Sequence, residues 1–323
     1  MWWLLGLAQL LAVGFVLATL AGTLFTAHRL LHPRRKTVAW AIARGVASDP
    51  SELDEPRTFD AYERALTDAR GRTHHAPVWD IPGDDPRGPL VVYTPGWGDS
   101  RVGVLARLPA LAPAASRIIA WDPPGLGDAT GEWALGLHEP PLLAELVRQT
   151  ARDAGTDAGP DVVLFGASAG AGVSIACAVL LQGDPTGPRV HAIIGEGAFR
   201  RPRTPARNVV RRSGLPWAVT GPLAFMLLGV RAGVGPRWRG YDRADLAARL
   251  RDTPLLLLHG DRDETCPLAE VREIEAAAPA PGARLAVIPG AGHNDLWLDP
   301  ATARPAAERV RQFLRELREP PPR

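Results

Sequence analysis

Val162-Val163-Leu164-Phe165-Gly166-Ala167-Ser168-Ala169-Gly170 is the stretch on which the fold turns. Its first four residues are bulky and apolar, two of them β-branched, and read as a short buried strand. A helical pattern over residues 169–181 follows at once. Between the two lie only small residues around one serine, so the chain can reverse sharply and lift the Ser168 hydroxyl out at the end of a strand. A bare Gly-x-Ser-x-Gly arises readily by chance; a strand before it and a helix after it make it specific.

Similar apolar runs occupy residues 90–93, 117–121, 190–194, 255–259 and 284–288, each bounded by Gly, Pro or Asp. Helical patterns lie between them at 141–154, 268–278 and 301–318. Buried runs alternating with helices predict an α/β domain with a mostly parallel sheet covered on both faces. Residues 58–67 and 74–81 read as an antiparallel start. No repeat is visible, so one domain is expected.

A serine hydroxyl is a weak nucleophile that needs a neutral imidazole in reach, and the imidazole needs a carboxylate to hold its tautomer. Both partners lie downstream at strand ends, the edge where open α/β sheets build their sites. His293 stands in Gly290-Ala291-Gly292-His293-Asn294, and Asp263 in His259-Gly260-Asp261-Arg262-Asp263. Asp261 and Glu196, the latter closing the run at 193–196, compete for the acid role. Asp261 also suits a turn.

From about Asp60 onward the chain resembles the α/β-hydrolase superfamily. The resemblance rests on residues 166–170, 259–267 and 290–293, on Tyr93-Thr94-Pro95-Gly96-Trp97-Gly98-Asp99-Ser100 after the third strand, and on Asp122-Pro123-Pro124-Gly125-Leu126-Gly127-Asp128 after the fourth. It implies an α/β-hydrolase fold with Ser168, Asp263 and His293 as a triad. It also implies an oxyanion hole from the backbone N–H groups of Trp97 and Ala169. Members with an N-terminal anchor and a following Arg-Arg segment, membrane-associated esterases and lysophospholipase-like hydrolases, are the nearest type. One departure is Pro95-Gly96, where the family often has His-Gly.

The 323 residues are 46% apolar and 22% charged with a net charge of +2, which excludes a disordered chain. Cys177 and Cys266 are too few for a disulfide framework and make no zinc spacing with the histidines, so no metal or other cofactor is expected. Arginine dominates the basic residues alongside 33 Gly and 32 Pro, a sign of codon bias rather than of nucleic-acid binding.

Residues 1–27 carry no charge. As a helix they reach about 40 Å, enough to cross a hydrocarbon core of about 30 Å. A cleaved signal would open with a basic n-region, whereas Met1 is followed by Trp2 and Trp3, which suit an interfacial belt. Arg29, Arg34, Arg35 and Lys36 crowd the far end, so the positive-inside rule puts the C-terminal part in the cytoplasm. The expected organisation is a single-pass anchor over 1–27, a basic connector and helix over 28–57, and a hydrolase domain over 58–323.

That domain is interrupted after its sixth strand by a cap at 197–251. The cap holds 12 arginines against the two acids Asp242 and Asp245, plus an apolar segment at 215–230. Trp217, Phe225 and Met226 are candidates to line a substrate pocket there. A basic, apolar cap beside an anchor also suits contact with anionic lipid, and the two should then lie on one side of the molecule. The reading as a whole is a membrane-anchored serine hydrolase acting on a small or lipid-like acyl substrate with an ester-like bond. A peptidase or thioesterase on the same triad, or a non-catalytic binding module of the same fold, is the alternative.

Overall fold

The structure is a computed structural model that describes residues 2–68, 70–153, 161–184, 187–279 and 282–318. The chain opens with helix α1 (Trp2–Leu31) and the short α2 (Val38–Ile42). Strands β1 (Asp60–Thr67), β2 (Thr73–Pro82) and β3 (Leu90–Thr94) follow, then α3 (Leu108–Leu111) and β4 (Arg117–Trp121). After α4 (Glu139–Asp153), β5 (Val162–Ala167), α5 (Ala169–Leu181) and β6 (Val190–Glu196) comes a helical excursion of α6 (Arg203–Arg212), α7 (Trp217–Arg231) and α8 (Arg243–Ala247). The chain then returns to the sheet with β7 (Leu255–Gly260), α9 (Leu268–Ala277), β8 (Ala283–Ile288) and α10 (Pro300–Glu316). The expected end of α4 at Ala154 lies outside the described residues.

The eight strands form one sheet in the order β1-β2-β4-β3-β5-β6-β7-β8. Only the β1–β2 and β2–β4 pairs are antiparallel. The others are parallel because a helix returns the chain between them. The unbroken apolar runs seen in the sequence follow from this burial on two faces. In β5, Val162 and Leu164 join one apolar cluster with α4 and α5, whereas Val163 and Phe165 join a second with α3 and α10. β7 splits the same way, Leu255 and Leu257 to the first face and Leu256 and Leu258 to the second. The edge strand β1 is largely exposed, whereas the other edge, β8, is mostly half-buried or buried.

Helix α1 runs four residues beyond the expected 27. Its buried residues are Thr23, Thr26, Ala27 and Leu30, all in its last third. These pack on α7, where Ala27 and Leu30 join Trp217, Ala224, Phe225, Leu228, Trp238 and Tyr241 in one cluster. Thr26 Oγ1 and Thr220 Oγ1 lie 3.0 Å apart. The cap and the N-terminal helix are therefore neighbours.

Glu139, the first residue of α4, is buried and accepts from the N–H of Ala134 at 2.6 Å and of His138 at 3.2 Å. Burial pushes its carboxyl up from 4.5 to about 7 against those bonds. Between these two values the folded chain keeps a proton that the unfolded chain has released. Its contribution to stability is therefore complete below pH 4.5 and is lost as the pH rises through about 7. Glu139→Gln removes that loss, so the melting temperature of the variant relative to wild type should climb with pH across this window. Parallel curves for the two proteins would contradict the assignment.

Candidate active site

Ser168 stands between β5 and α5 with φ +52° and ψ −112°. This is a strained conformation for a residue with a side chain, costing on the order of 1–3 kcal/mol. The flanking glycines make it possible. A Cβ on Gly166 would meet the Gly170 carbonyl oxygen at 2.3 Å, and one on Gly170 would meet the Thr94 oxygen at 2.3 Å. Only bare backbone fits where the start of α5 crosses the ends of β3 and β5. The Ser168 N–H donates to the Glu196 carbonyl oxygen at 2.6 Å, tying the turn to the end of β6.

His293, in the loop after β8, meets Ser168 Oγ through Nε2 at 3.0 Å. Its Nδ1–H donates to Asp263 Oδ2 at 2.6 Å. The carboxylate is buried, and its Oδ1 accepts from the N–H groups of Thr265 at 2.9 Å and Cys266 at 2.7 Å. Behind it stands the fully buried His259, whose Nε2–H donates to the Cys266 oxygen at 2.7 Å. Burial lowers the pKa of His259 and so favours its neutral form. His259 shapes the acid loop without reaching the serine.

The two competing acids serve other bonds. Asp261 Oδ1 accepts from the Gly290 N–H at 2.7 Å, stitching the acid loop to the histidine loop. Glu196 is held by the buried Arg107 guanidinium at 2.5 and 2.9 Å and by Trp297 Nε1 at 2.8 Å. Arg107 and Trp297 carry no sequence signal that links them to Glu196, because the three come from segments far apart in the chain. Ligand atoms of Asp263, Cys266 and His293 lie within 4.8 Å of one another. Both imidazole nitrogens and both Asp263 oxygens are already engaged in the hydrogen bonds above.

Trp97 lies in the loop after β3, beside the serine: a Cβ on its neighbour Gly96 would come 3.1 Å from Ser168 Cβ. Among the described residues its backbone N–H has no acceptor, and the Ala169 N–H stands at the first turn of α5, where no intrahelical partner exists. The Trp97 indole donates to the Leu30 oxygen at the end of α1, 2.8 Å away, and Lys36 N–H donates to the Gly98 oxygen at 3.1 Å. Arg101 braces the same loop from behind. Its backbone N–H donates to Asp122 Oδ1 at 2.6 Å, and its guanidinium reaches Asp122 and Asp128. Burial raises the Asp122 carboxyl to about 6 although Arg101 opposes this.

The cap closes on the acid loop. Asn208 Nδ2 of α6 donates to the oxygens of Glu264 at 3.0 Å and Thr265 at 2.9 Å. Among the described residues four of the cap's twelve arginines meet carboxylates: Arg200 and Arg201 pair with Asp242, Arg212 with Glu264 and Arg231 with Glu132. Trp217 and Phe225 are buried in the cap's own aromatic cluster, where Phe225 stacks on Trp238 at 4.3 Å between ring centroids. Met226 is exposed on the other side of α7. A surface hollow of about 560 Å³ between α6 and α7 is lined by Arg211, Leu215, Pro216 and Trp217 and by none of Ser168, Asp263 and His293.

A family model described as the alpha/beta hydrolase family matches residues 91–307. No curated protein matches the sequence. Among solved structures, an esterase of Pyrococcus furiosus is 18% identical with a TM-score of 0.64, the match covering 89% of this chain and 98% of that one. An esterase of Thermogutta terrifontis is 21% identical with a TM-score of 0.57, over 80% of this chain and all of that one. A membrane phospholipase A, described as a bacterial virulence factor, is 16% identical with a TM-score of 0.54, over 98% of this chain and 99% of that one. At such identities the likeness is one of fold.

The imidazole contacts lead to a spectroscopic expectation. The strongly downfield proton of an imidazole N–H held by a carboxylate should be present in wild type and in Glu196→Gln, and absent from Asp263→Asn. Its loss in the Glu196 variant instead would mean that the wrong acid has been paired with His293.

Proposed function

Since the chain belongs to the alpha/beta hydrolase family, we propose that it is a membrane-anchored serine hydrolase that cleaves ester-like bonds of acyl substrates. The unbroken line of hydrogen bonds from Asp263 through His293 to the strained Ser168 carries this reading. His293 Nε2 takes the Ser168 proton as Oγ attacks the carbonyl carbon, and the negative charge gathers on the carbonyl oxygen. The N–H groups of Trp97 and Ala169 stabilise that oxyanion; losing one such donor typically costs about 2.7–4 kcal/mol. The protonated imidazole, stabilised by Asp263, then gives its proton to the departing alcohol. Water, deprotonated by the same nitrogen, attacks the acyl-serine and releases the acid and free Ser168.

Helix α1 is long and apolar enough to span a bilayer, and none of its most apolar stretch is buried. With Arg29, Arg34, Arg35 and Lys36 at its C-terminal end, the hydrolase domain is read as cytoplasmic and the protein as single-pass. A fold likeness that extends over 98% of the chain to a membrane phospholipase A supports this combination. The organisation follows: anchor 1–27, connector 28–57, hydrolase domain 58–323 with its cap at 197–251. In this reading Met226 lies on the exposed face of the cap, and Trp217 and Phe225 support that face from the buried side of α7.

In the detergent-solubilised full chain, Ser168→Ala should abolish labelling by a fluorophosphonate probe, and undiminished labelling would sink the nucleophile assignment. Asp263→Asn should keep the fold but lower kcat on an acyl ester by roughly 10⁴-fold, through loss of the tautomer that leaves Nε2 free to accept. A loss below about tenfold would remove Asp263 from the mechanism.

A further inference from the structure

Helix α7 has no polar face. On one side Trp217, Thr220, Gly221, Ala224, Phe225 and Leu228 are buried against the cap cluster and α1. On the other, Val219, Leu223, Met226, Leu227 and Val230 keep 42–57% of their surface exposed. At about 100° per residue these five fall within an arc of roughly 100°, so they form one stripe rather than scattered single residues. A helix apolar all round belongs in a core or in a membrane, and half of this one is covered by neither.

The packing of α1 says what covers it. Its 30 residues extend about 45 Å, whereas the hydrocarbon core takes about 20 residues. The contact with α7 begins where those 20 residues end: a Cβ on Gly22 would come 2.8 Å from Thr220 Cγ2, and every buried residue of α1 lies between Thr23 and Leu30. Helix α7 therefore sits at the level where α1 leaves the hydrocarbon. Exposed arginines bracket the stripe, Arg211 and Arg212 before it and Arg231, Arg237 and Arg239 after it. Among the described residues Arg211, Arg237 and Arg239 have no carboxylate partner, which suits anionic headgroups.

We propose that α7 seats its exposed stripe in the bilayer interface beside α1, with the flanking arginines on anionic headgroups, so that the cap meets the lipid from which the acyl substrate is drawn. This rests on the reading of α1 as a membrane span. The occupant of the stripe is lipid, not a second copy of the chain.

The test uses the full chain in phosphatidylcholine vesicles with and without phosphatidylglycerol. Cys177 and Cys266 are fully buried, so an environment-sensitive fluorophore can be placed on single introduced cysteines. Leu223→Cys and Leu227→Cys report on α7 and Leu17→Cys on α1. Leu180→Cys serves as a control at the far end of α5, the edge of the sheet opposite the serine. The expected result is blue-shifted emission from both α7 labels, quenched by doxyl lipids to a degree comparable with the α1 label and more strongly with phosphatidylglycerol present, while the Leu180 label is unquenched. An α7 label in water beside an α1 label in lipid overturns the proposal and leaves the anchor standing. Both labels in water overturn the anchor and the proposal together. An α7 label that is blue-shifted yet untouched by doxyl lipids overturns it in favour of a protein contact. In parallel, Leu223→Glu combined with Leu227→Glu should lower hydrolysis of a vesicle-borne ester by about tenfold or more and leave a short water-soluble ester unaffected. Equal losses on both substrates contradict the proposal.

Discussion

The crossing of α5 over the ends of β3 and β5 is the constraint on which the site depends. Two glycines without side chains, Gly166 and Gly170, let backbones approach to distances that a Cβ would forbid. Ser168, the middle residue of the three between them, takes a positive φ, and its hydroxyl meets His293 Nε2. The strain is held because Ser168 N–H is tied to the Glu196 carbonyl and because β5 is buried on both faces. Glu196 is in turn locked by Arg107 and Trp297. A carboxylate at the end of β6 thus has a structural part, holding the strand end that holds the serine.

The N-terminal helix is joined to this site at two points. Leu30, in its last turn, offers an otherwise free helix-terminal carbonyl to the Trp97 indole, next to the backbone N–H proposed for the oxyanion. Thr26, Ala27 and Leu30 pack into the cap, which is itself bonded to the loop after Asp263 through Asn208. The helix that would cross the membrane and the loops of the candidate site form one packed unit, not two bodies on a flexible connector. Arg35 reinforces it by donating to the Ala129 oxygen at 2.8 Å.

The strands were legible because burial on two faces leaves an uninterrupted apolar signature, and the run at 117–121 coincides with β4 to the residue. The convergence of Ser168, Asp263 and His293 was legible because each sits at a strand end that such runs mark. Less was readable where contacts join distant segments. Asp261, Asp263 and Glu196 look alike as carboxylates near strand ends, and only the hydrogen bonds to Gly290, His293 and Arg107 separate them. His259 was visible at the end of β7, but its bond to the Cys266 oxygen depends on how the acid loop folds back. In the cap, Trp217 and Phe225 were conspicuous by residue type. Their burial against α1 follows from the docking of two helices almost 200 residues apart in the chain. The twelve cap arginines were equally visible, yet which of them are neutralised by Asp242, Glu264 and Glu132 is again a matter of tertiary contact.

The most direct measurement is to catch the covalent intermediate. The full chain in detergent is quenched with acid during steady turnover of an activated acyl ester, digested, and read by mass spectrometry. A covalent mechanism on this serine predicts that the acyl mass appears on the peptide containing Ser168 and is assigned to its Oγ. Turnover that proceeds with Ser168 unmodified, or with the acyl group on another residue, would contradict it.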